Sequence, residues 1–239
     1  MTNTKLNIAM FIDADNAPAK HIDKVLTDLA IYGAVSIRKA YGNWKKPVIK
    51  SWEDILHEYA IQPIQQFDLT KGKNATDIAM VIDVMDILYT KNVDIFCIIS
   101  SDCDFTPLVM RILAEGKQVF GFGERKAPIA FVNACTRFLY LEDTKEKKET
   151  VTTKKKTGQA LKSDSKLMNL LRSAIEASQD DDGWATLSPV GSIITNQASF
   201  DPRNYCYSKL GDLIKAIDIF ETRIVDKNKF QVRDTRMGK

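Results

Sequence analysis

The sequence predicts an open α/β domain with a central parallel sheet, followed by a smaller winged-helix-like α+β domain. Three observations carry this reading. Short apolar runs of strand length alternate with amphipathic segments of helix length across residues 5–142. Apolar periodicity then vanishes from Asp143 to about Ser163. A second set of amphipathic segments follows and closes in a hairpin pattern. Strands separated by single helices require parallel pairing with right-handed crossovers, because an antiparallel neighbour would need only a tight turn.

The elements read in order as follows. LNIAMFI is a buried strand, and Pro18 to Leu29 is a helix with proline in its first turn. AVSIRKAY alternates as a strand, and VIKSWEDILHEYA is an amphipathic helix. IQPIQQF is a short strand whose proline removes a ladder donor, which places it near an edge. TDIAMVIDVMDILY is helical, with Thr76 as the expected cap. DIFCIIS is a strand, FTPLVMRILAEG a helix ending at Gly116, and KQVFGFG a strand. APIAFVNAC is a helix and RFLYLE a last short strand.

Residues 143–163 are rich in Lys, Glu and Thr, with Val151 and Leu161 as their large apolar residues, so a flexible linker is expected there. The second domain, 164–239, then reads as three helices, SKLMNLLRSAIEAS, LSPVGSIITNQ and YSKLGDLIKAI. FETRIVDKNKFQVR reads as a hairpin turning at Asp226, Lys227 and Asn228.

Composition narrows the classes. The 239 residues are 44% apolar, ordinary for a globular protein with a real core. No apolar stretch approaches a membrane span, and the N-terminus lacks the pattern of a signal peptide, so a cytoplasmic location without membrane association is expected. Cys97, Cys103, Cys135 and Cys206 form no CxxC pair, and there are two histidines, which argues against structural zinc and for reduced thiols. The net charge of +3 is too small for a global field that attracts nucleic acid. Residues 1–141 balance 16 basic against 16 acidic side chains, and the excess lies mostly around Lys154, Lys155 and Lys156.

Chemistry concentrates in three acidic segments: FIDADN with Asp13 and Asn16, KNATDIAMVID with Asp77, and CIISSDCDF with Asp102 and Asp104. An acid just past a buried parallel strand lies at the carboxyl edge of the sheet, where open α/β folds hold ligands. Carboxylates gathered there repel one another unless a cation shares the site. Mg²⁺ or Mn²⁺, hard ions that prefer oxygen, are the expected cofactors. Asp104 alone also reads as a helix cap. Asp83 lies about 120° around the helix from Asp77 and is not expected to share an ion with it. FIDAD also fits the opening of a haloacid-dehalogenase-type phosphatase, with Asp13 as nucleophile, Asp15 as acid, and Ser100 and Lys117 as the next two motifs, but the stretch QVFGFGERKAP after Lys117 has no aspartate for the fourth, and SDCDF stays unexplained.

FIDADN, RKAYGNW, KNATDIAMVIDVMDILY, SSDCDFTPLVMRILAEGKQVFGFG and ACTRFLYLE stand in the order found in NYN domains. Over residues 1–142 the chain resembles that branch of the PIN-like nuclease superfamily, in its LabA-like group. The family's usual SGDSDF is SSDCDF here, with both aspartates kept. GWATLSPVGSII and FDPRNYCYSKLGDLIKAIDIFE resemble an OST-HTH domain, also called LOTUS, with Tyr205-Cys206-Tyr207 replacing the usual Tyr-Gly-Tyr.

The resemblance implies a metal-dependent ribonuclease joined to an RNA-binding domain. Asp13, Asp77 and Asp102 would be metal ligands, with Asp104 as a ligand or water-orienting group. Asn16 would orient a ligand or touch phosphate, and Ser100 would position a phosphate or cap the next helix. Asn43, Trp44 and Lys45, beside Tyr41 and Lys46, are expected to stack on a base and hold a phosphate. Arg203 and Lys209 are the expected RNA contacts of the second domain. The partner is RNA, single-stranded or structured, and a protein partner of the OST-HTH domain is a further expectation. The rival reading is a catalytically silent RNA- or protein-binding adaptor.

Overall fold

A computed structural model of the chain describes residues 5–67, 74–141, 157–225 and 229–236. The chain divides into two compact units, Met1–Glu142 and Asp143–Lys239. The first holds six strands: β1 (Leu6–Asp13), β2 (Gly33–Gly42), β3 (Gln62–Gln65), β4 (Ile95–Ile99), β5 (Gln118–Gly123) and β6 (Arg137–Tyr140). They form one sheet in the order β3-β2-β1-β4-β5-β6, and every pairing is parallel. The strand bearing Pro63 lies at an edge, as its missing donor requires.

Five helices connect these strands: α1 (Ile22–Ala30), α2 (Lys50–Glu58), α3 (Ala75–Thr90), α4 (Thr106–Ala114) and α5 (Ile129–Ala134). Alternate residues of β1 supply two cores. Ile8, Met10 and Ile12 pack with Leu29 of α1 and Trp52 of α2. Ala9 and Phe11 pack with Met80 of α3 and Ile112 of α4. Burial on both faces explains why β1 and β4 read as nearly continuous apolar runs.

Helix ends follow local chemistry. α2 and α4 both stop in Schellman motifs, whose left-handed residue is Gly116 (φ 71°) after α4 but Ala60 (φ 50°) after α2. The α2 motif donates Ile61 N to Leu56 O at 2.8 Å, and both of these side chains are buried. Thr76 does not cap α3: Asn74 occupies that position, and the Thr76 hydroxyl donates to Asp15 instead.

The second unit contains α6 (Gly158–Lys162), α7 (Ser165–Glu176), α8 (Leu187–Gln197) and α9 (Leu210–Lys215). Its strands are β7 (Ala185–Thr186), β8 (Phe220–Val225) and β9 (Lys229–Asp234), an antiparallel sheet in the order β7-β9-β8. The expected hairpin is present, and the two-residue β7 pairs with its second strand. Its turn, 226–228, lies outside the described residues, as does the expected linker from 143 through 156.

The end of that expected linker is ordered. Thr157 caps α6 by accepting from Ala160 N at 3.4 Å, and Leu161 is fully buried in the core with Leu171, Ile175 and Val232. Gly158 is needed at this contact, because a Cβ there would meet the Ala216 carbonyl oxygen at 2.3 Å. One anchoring leucine and one close backbone approach order this segment, although its average composition reads as linker.

Candidate active site

The chain winds from β1 outward to β3 and then returns to the other side of β1 for β4. The carboxyl ends of β1 and β4 therefore flank a topological switch point, where adjacent connections leave in opposite directions and open a crevice. Asp13 ends β1 there, and the Ser100–Asp104 segment follows β4.

Asp13 is almost completely buried, at 1% exposure. Its carboxylate accepts from Asn16 Nδ2 at 3.0 and 3.3 Å and from Ser100 Oγ at 2.8 Å. Ser100 Oγ accepts in turn from Asp102 N at 3.1 Å. Asp102 caps the short 3-10 helix Cys103–Phe105 by accepting from Asp104 N at 2.9 Å. Asn74, just before α3, donates to Asp104 Oδ2 at 3.2 Å. A continuous chain of hydrogen bonds thus links the end of β1, the β4–α4 turn and the start of α3.

Two sequence expectations change here. The capping carboxylate is Asp102 and not Asp104. Ser100, at 1% exposure, does not occupy the cap position, which Asp102 holds; it donates to Asp13 and orients that carboxylate.

The electrostatics describe the same crowding. Asp77 is half-buried in the first turn of α3, and its carboxyl is pushed up to about 6, first by burial and then by Asp13, Asp102, Asp15 and Asp104. Burial raises Asp13 as well; the Asn16 and Ser100 hydrogen bonds oppose that rise, and Asp15 and Asp102 add to it. Five carboxylates therefore act on one another around this edge.

Asp15 was not expected among the metal-binding acids. It accepts from Thr76 Oγ1 at 3.1 Å, while its Oδ1 is buried with no hydrogen bond and has the Lys46 ammonium 3.7 Å away. Its signal in the sequence was the two-residue spacing from Asp13, which the strand-end argument attached to Asp13 alone.

Asp102, Cys103 and Asp104 bring their ligand atoms within 4.8 Å of one another, a group that does not include Asp13 or Asp77. A buried carboxylate oxygen with no hydrogen bond, two carboxyls with raised pKa and a donor set of hard oxygens suit Mg²⁺ or Mn²⁺. Asp83 lies outside this network, accepting from Lys39 Nζ at 2.6 Å and from the Tyr41 hydroxyl.

The expected substrate contacts are largely engaged within the fold. Trp44 is partly buried against the core and donates Nε1 to the Ile64 carbonyl at 3.1 Å. Asn43 accepts from Gln65 Nε2 at 3.1 Å, and Lys45 Nζ lies 5.0 Å from the Phe67 ring centroid. These residues fasten the loop after β2 to the β3 region. In the second unit, Arg203 forks onto the fully buried Asp201, with contacts of 3.0 and 2.9 Å. Lys209 is exposed at the cap position of α9.

A doubly wound parallel sheet of six strands with carboxylates around its switch point is consistent with a PIN-like domain. The NYN domain model matches residues 7–142, and the chain belongs to the NYN domain family, within the PIN-like nuclease superfamily. The OST-HTH/LOTUS domain model matches residues 160–232, which include most of α6. PIN-like nuclease domains generally use divalent metals.

An uncharacterized protein of Methanocaldococcus jannaschii, MJ0482, is 27% identical over 120 residues, covering 48% of this chain and 47% of that protein. The chain thus spans about half the length of this curated relative. The crystal structure of a protein of unknown function from Vibrio parahaemolyticus, VPA0982, aligns with a TM-score of 0.50 and 20% identity, over 60% of this chain and 97% of that one. That likeness is one of fold. Among the described residues no helix is long and apolar enough to cross a membrane.

Proposed function

We propose that the chain is a divalent-metal-dependent ribonuclease that hydrolyses RNA phosphodiester bonds at the switch-point crevice, with its second unit holding the RNA. The observation that carries this reading is the convergence of Asp13, Asp77, Asp102 and Asp104, joined by Asp15, at the carboxyl edge between β1 and β4. So many carboxylates in mutual repulsion are a liability unless a cation offsets them.

Asp13, Asp77, Asp102 and Asp104 would hold Mg²⁺ or Mn²⁺, which supplies charge neutralisation at the phosphodiester and a lowered pKa for attacking water. Asn16 and Ser100 fix the Asp13 carboxylate and favour its charged form. Asp102 sets the β4–α4 turn, and Asn74 positions Asp104. Lys46 stands beside Asp15 at the rim, where a cation meets incoming phosphate. Exposed Lys45 and Lys209 remain candidates for the RNA backbone, whereas Arg203 acts first through Asp201.

The test is turnover of mixed-sequence RNA by the full chain. Cleavage is expected with Mn²⁺ and none with excess chelator. Equal cleavage under both conditions sinks the metal-dependent reading.

A further inference from the structure

Arg203 turns inward onto Asp201, and another group of cations in the second unit lines a small cleft. A cleft of about 180 Å³ is lined by Lys162, Ser165, Met168, Asn169, Arg172, Ile219 and Arg236. Four separate stretches of chain build it: the end of α6, one face of α7, the residue before β8 and the residues after β9. Ser165, Asn169 and Arg172 are spaced by four and three residues and so share a face of α7.

Met168 and Ile219 are the apolar members of the lining, and every polar side chain in it can donate a hydrogen bond. Among the described residues no acid lines the cleft, and two acids position its cations from outside. Buried Asp234 accepts from Arg172 Nε at 3.1 Å and from Arg236 N at 3.0 Å. Asp218, 72% exposed, pairs with Lys162 Nζ at 2.9 Å. Three cations and two neutral donors around a small polar hollow match the oxygens of a phosphate, where Arg supplies a planar fork and Lys a point charge.

We propose that this cleft binds the sugar-phosphate backbone of single-stranded RNA, with Lys162, Arg172 and Arg236 as the phosphate contacts. The choice of RNA as ligand rests on the function proposed above. Contacts to phosphate place the strand without reading its bases, which suits a unit that delivers substrate. The cleft also gives α6 a role, since that helix brings Lys162 to the rim.

The test measures anisotropy of a fluorescein-labelled single-stranded oligoribonucleotide with the full chain in EDTA, across a salt series. Lys162→Gln and Arg236→Gln are each expected to weaken binding by about fivefold and to reduce the slope of log K against log salt by about 0.7 per lost contact. Asp218→Asn, which releases Lys162 from its exposed partner, is expected to tighten binding. Circular dichroism should show all three variants folded as the wild type.

Unchanged affinity in both cation variants, weaker binding by Asp218→Asn, or no RNA binding by the wild type overturns the proposal. So does displacement of the RNA by low-millimolar inorganic phosphate or a mononucleotide at constant ionic strength, which assigns the cleft to a small free ligand. Metal-dependent cleavage is assayed separately. If wild-type chain binds RNA through these residues and never cuts it, the cleft stands and the nuclease reading falls.

Discussion

Burial of Asp13 and crowding around Asp77 make proton uptake the first observable at the residue scale. Asp77 moves from its ordinary 3.8 to about 6. Between those values the folded chain holds more protons than the unfolded one, so this contribution to stability is present below the lower value and is lost as pH rises through the upper. Asp13 shifts in the same direction. In EDTA, Asp77→Asn should therefore gain Tm relative to wild type as pH rises from about 4 to about 7. A divalent ion binds the deprotonated carboxylates, so Mg²⁺ should raise wild-type Tm more above pH ~6 than below it. A variant-to-wild-type difference independent of pH contradicts the electrostatic account. A second residue-scale prediction concerns Cys206, exposed and left-handed at φ 65° where glycine is preferred. Cys206→Gly should stabilise the chain by about 1 kcal/mol in chemical denaturation, the strain of a side chain in that region less glycine's own entropy.

At the scale of elements, the short helix Pro202–Tyr205 depends on one buried ion pair. Asp201 caps it through Arg203 N at 2.8 Å and receives the Arg203 guanidinium. Removing the cation leaves the fully buried Asp201 carboxylate without its partner, so Arg203→Met should cost about 3–5 kcal/mol. Asp201→Ala should cost less, about 1–2 kcal/mol for the lost cap, because the guanidinium it frees is partly exposed, and a loss under about 1 kcal/mol for Arg203→Met would show that the pair is solvated. All six strands of the first unit were legible in the sequence: burial on both faces writes nearly continuous apolar runs in β1 and β4, β2 alternates, and Pro63 marks an edge. Asp13, Asp77, Asp102 and Asp104 were legible as acids at strand ends or a helix start, and they act on one another electrostatically in the fold. Less was legible where one contact outweighs composition. Leu161 orders α6 inside an apolar-poor stretch, β7 is too short to show alternation, and Thr76 gives up the capping role to serve Asp15. The ion pair of Arg203 with Asp201 was not legible, because a sequence cannot show that a neighbouring acid is buried. Leu161→Ala should lower stability by about 2–5 kcal/mol, and an effect near zero would return this segment to the linker.

At the scale of the whole molecule, each unit has a hydrophobic core of its own. Residues 1–142 expressed alone should fold, keep much of kcat and show a raised KM. A remote tethered RNA site raises local substrate concentration without touching the transition state. Equal KM for the truncated and full chains would assign the second unit to another partner. The central claim is that the acids at the switch point form a metal site that cuts RNA. Its most direct test is the single-turnover cleavage rate of an end-labelled RNA against Mn²⁺ concentration for wild type and Asp13→Asn, with matched circular dichroism. A saturable rise is expected for wild type and a loss of at least about a hundredfold for Asp13→Asn, with the fold intact. A wild-type chain that binds RNA yet shows no Mn²⁺-dependent cleavage, or an Asp13→Asn variant that cuts as fast, would contradict it.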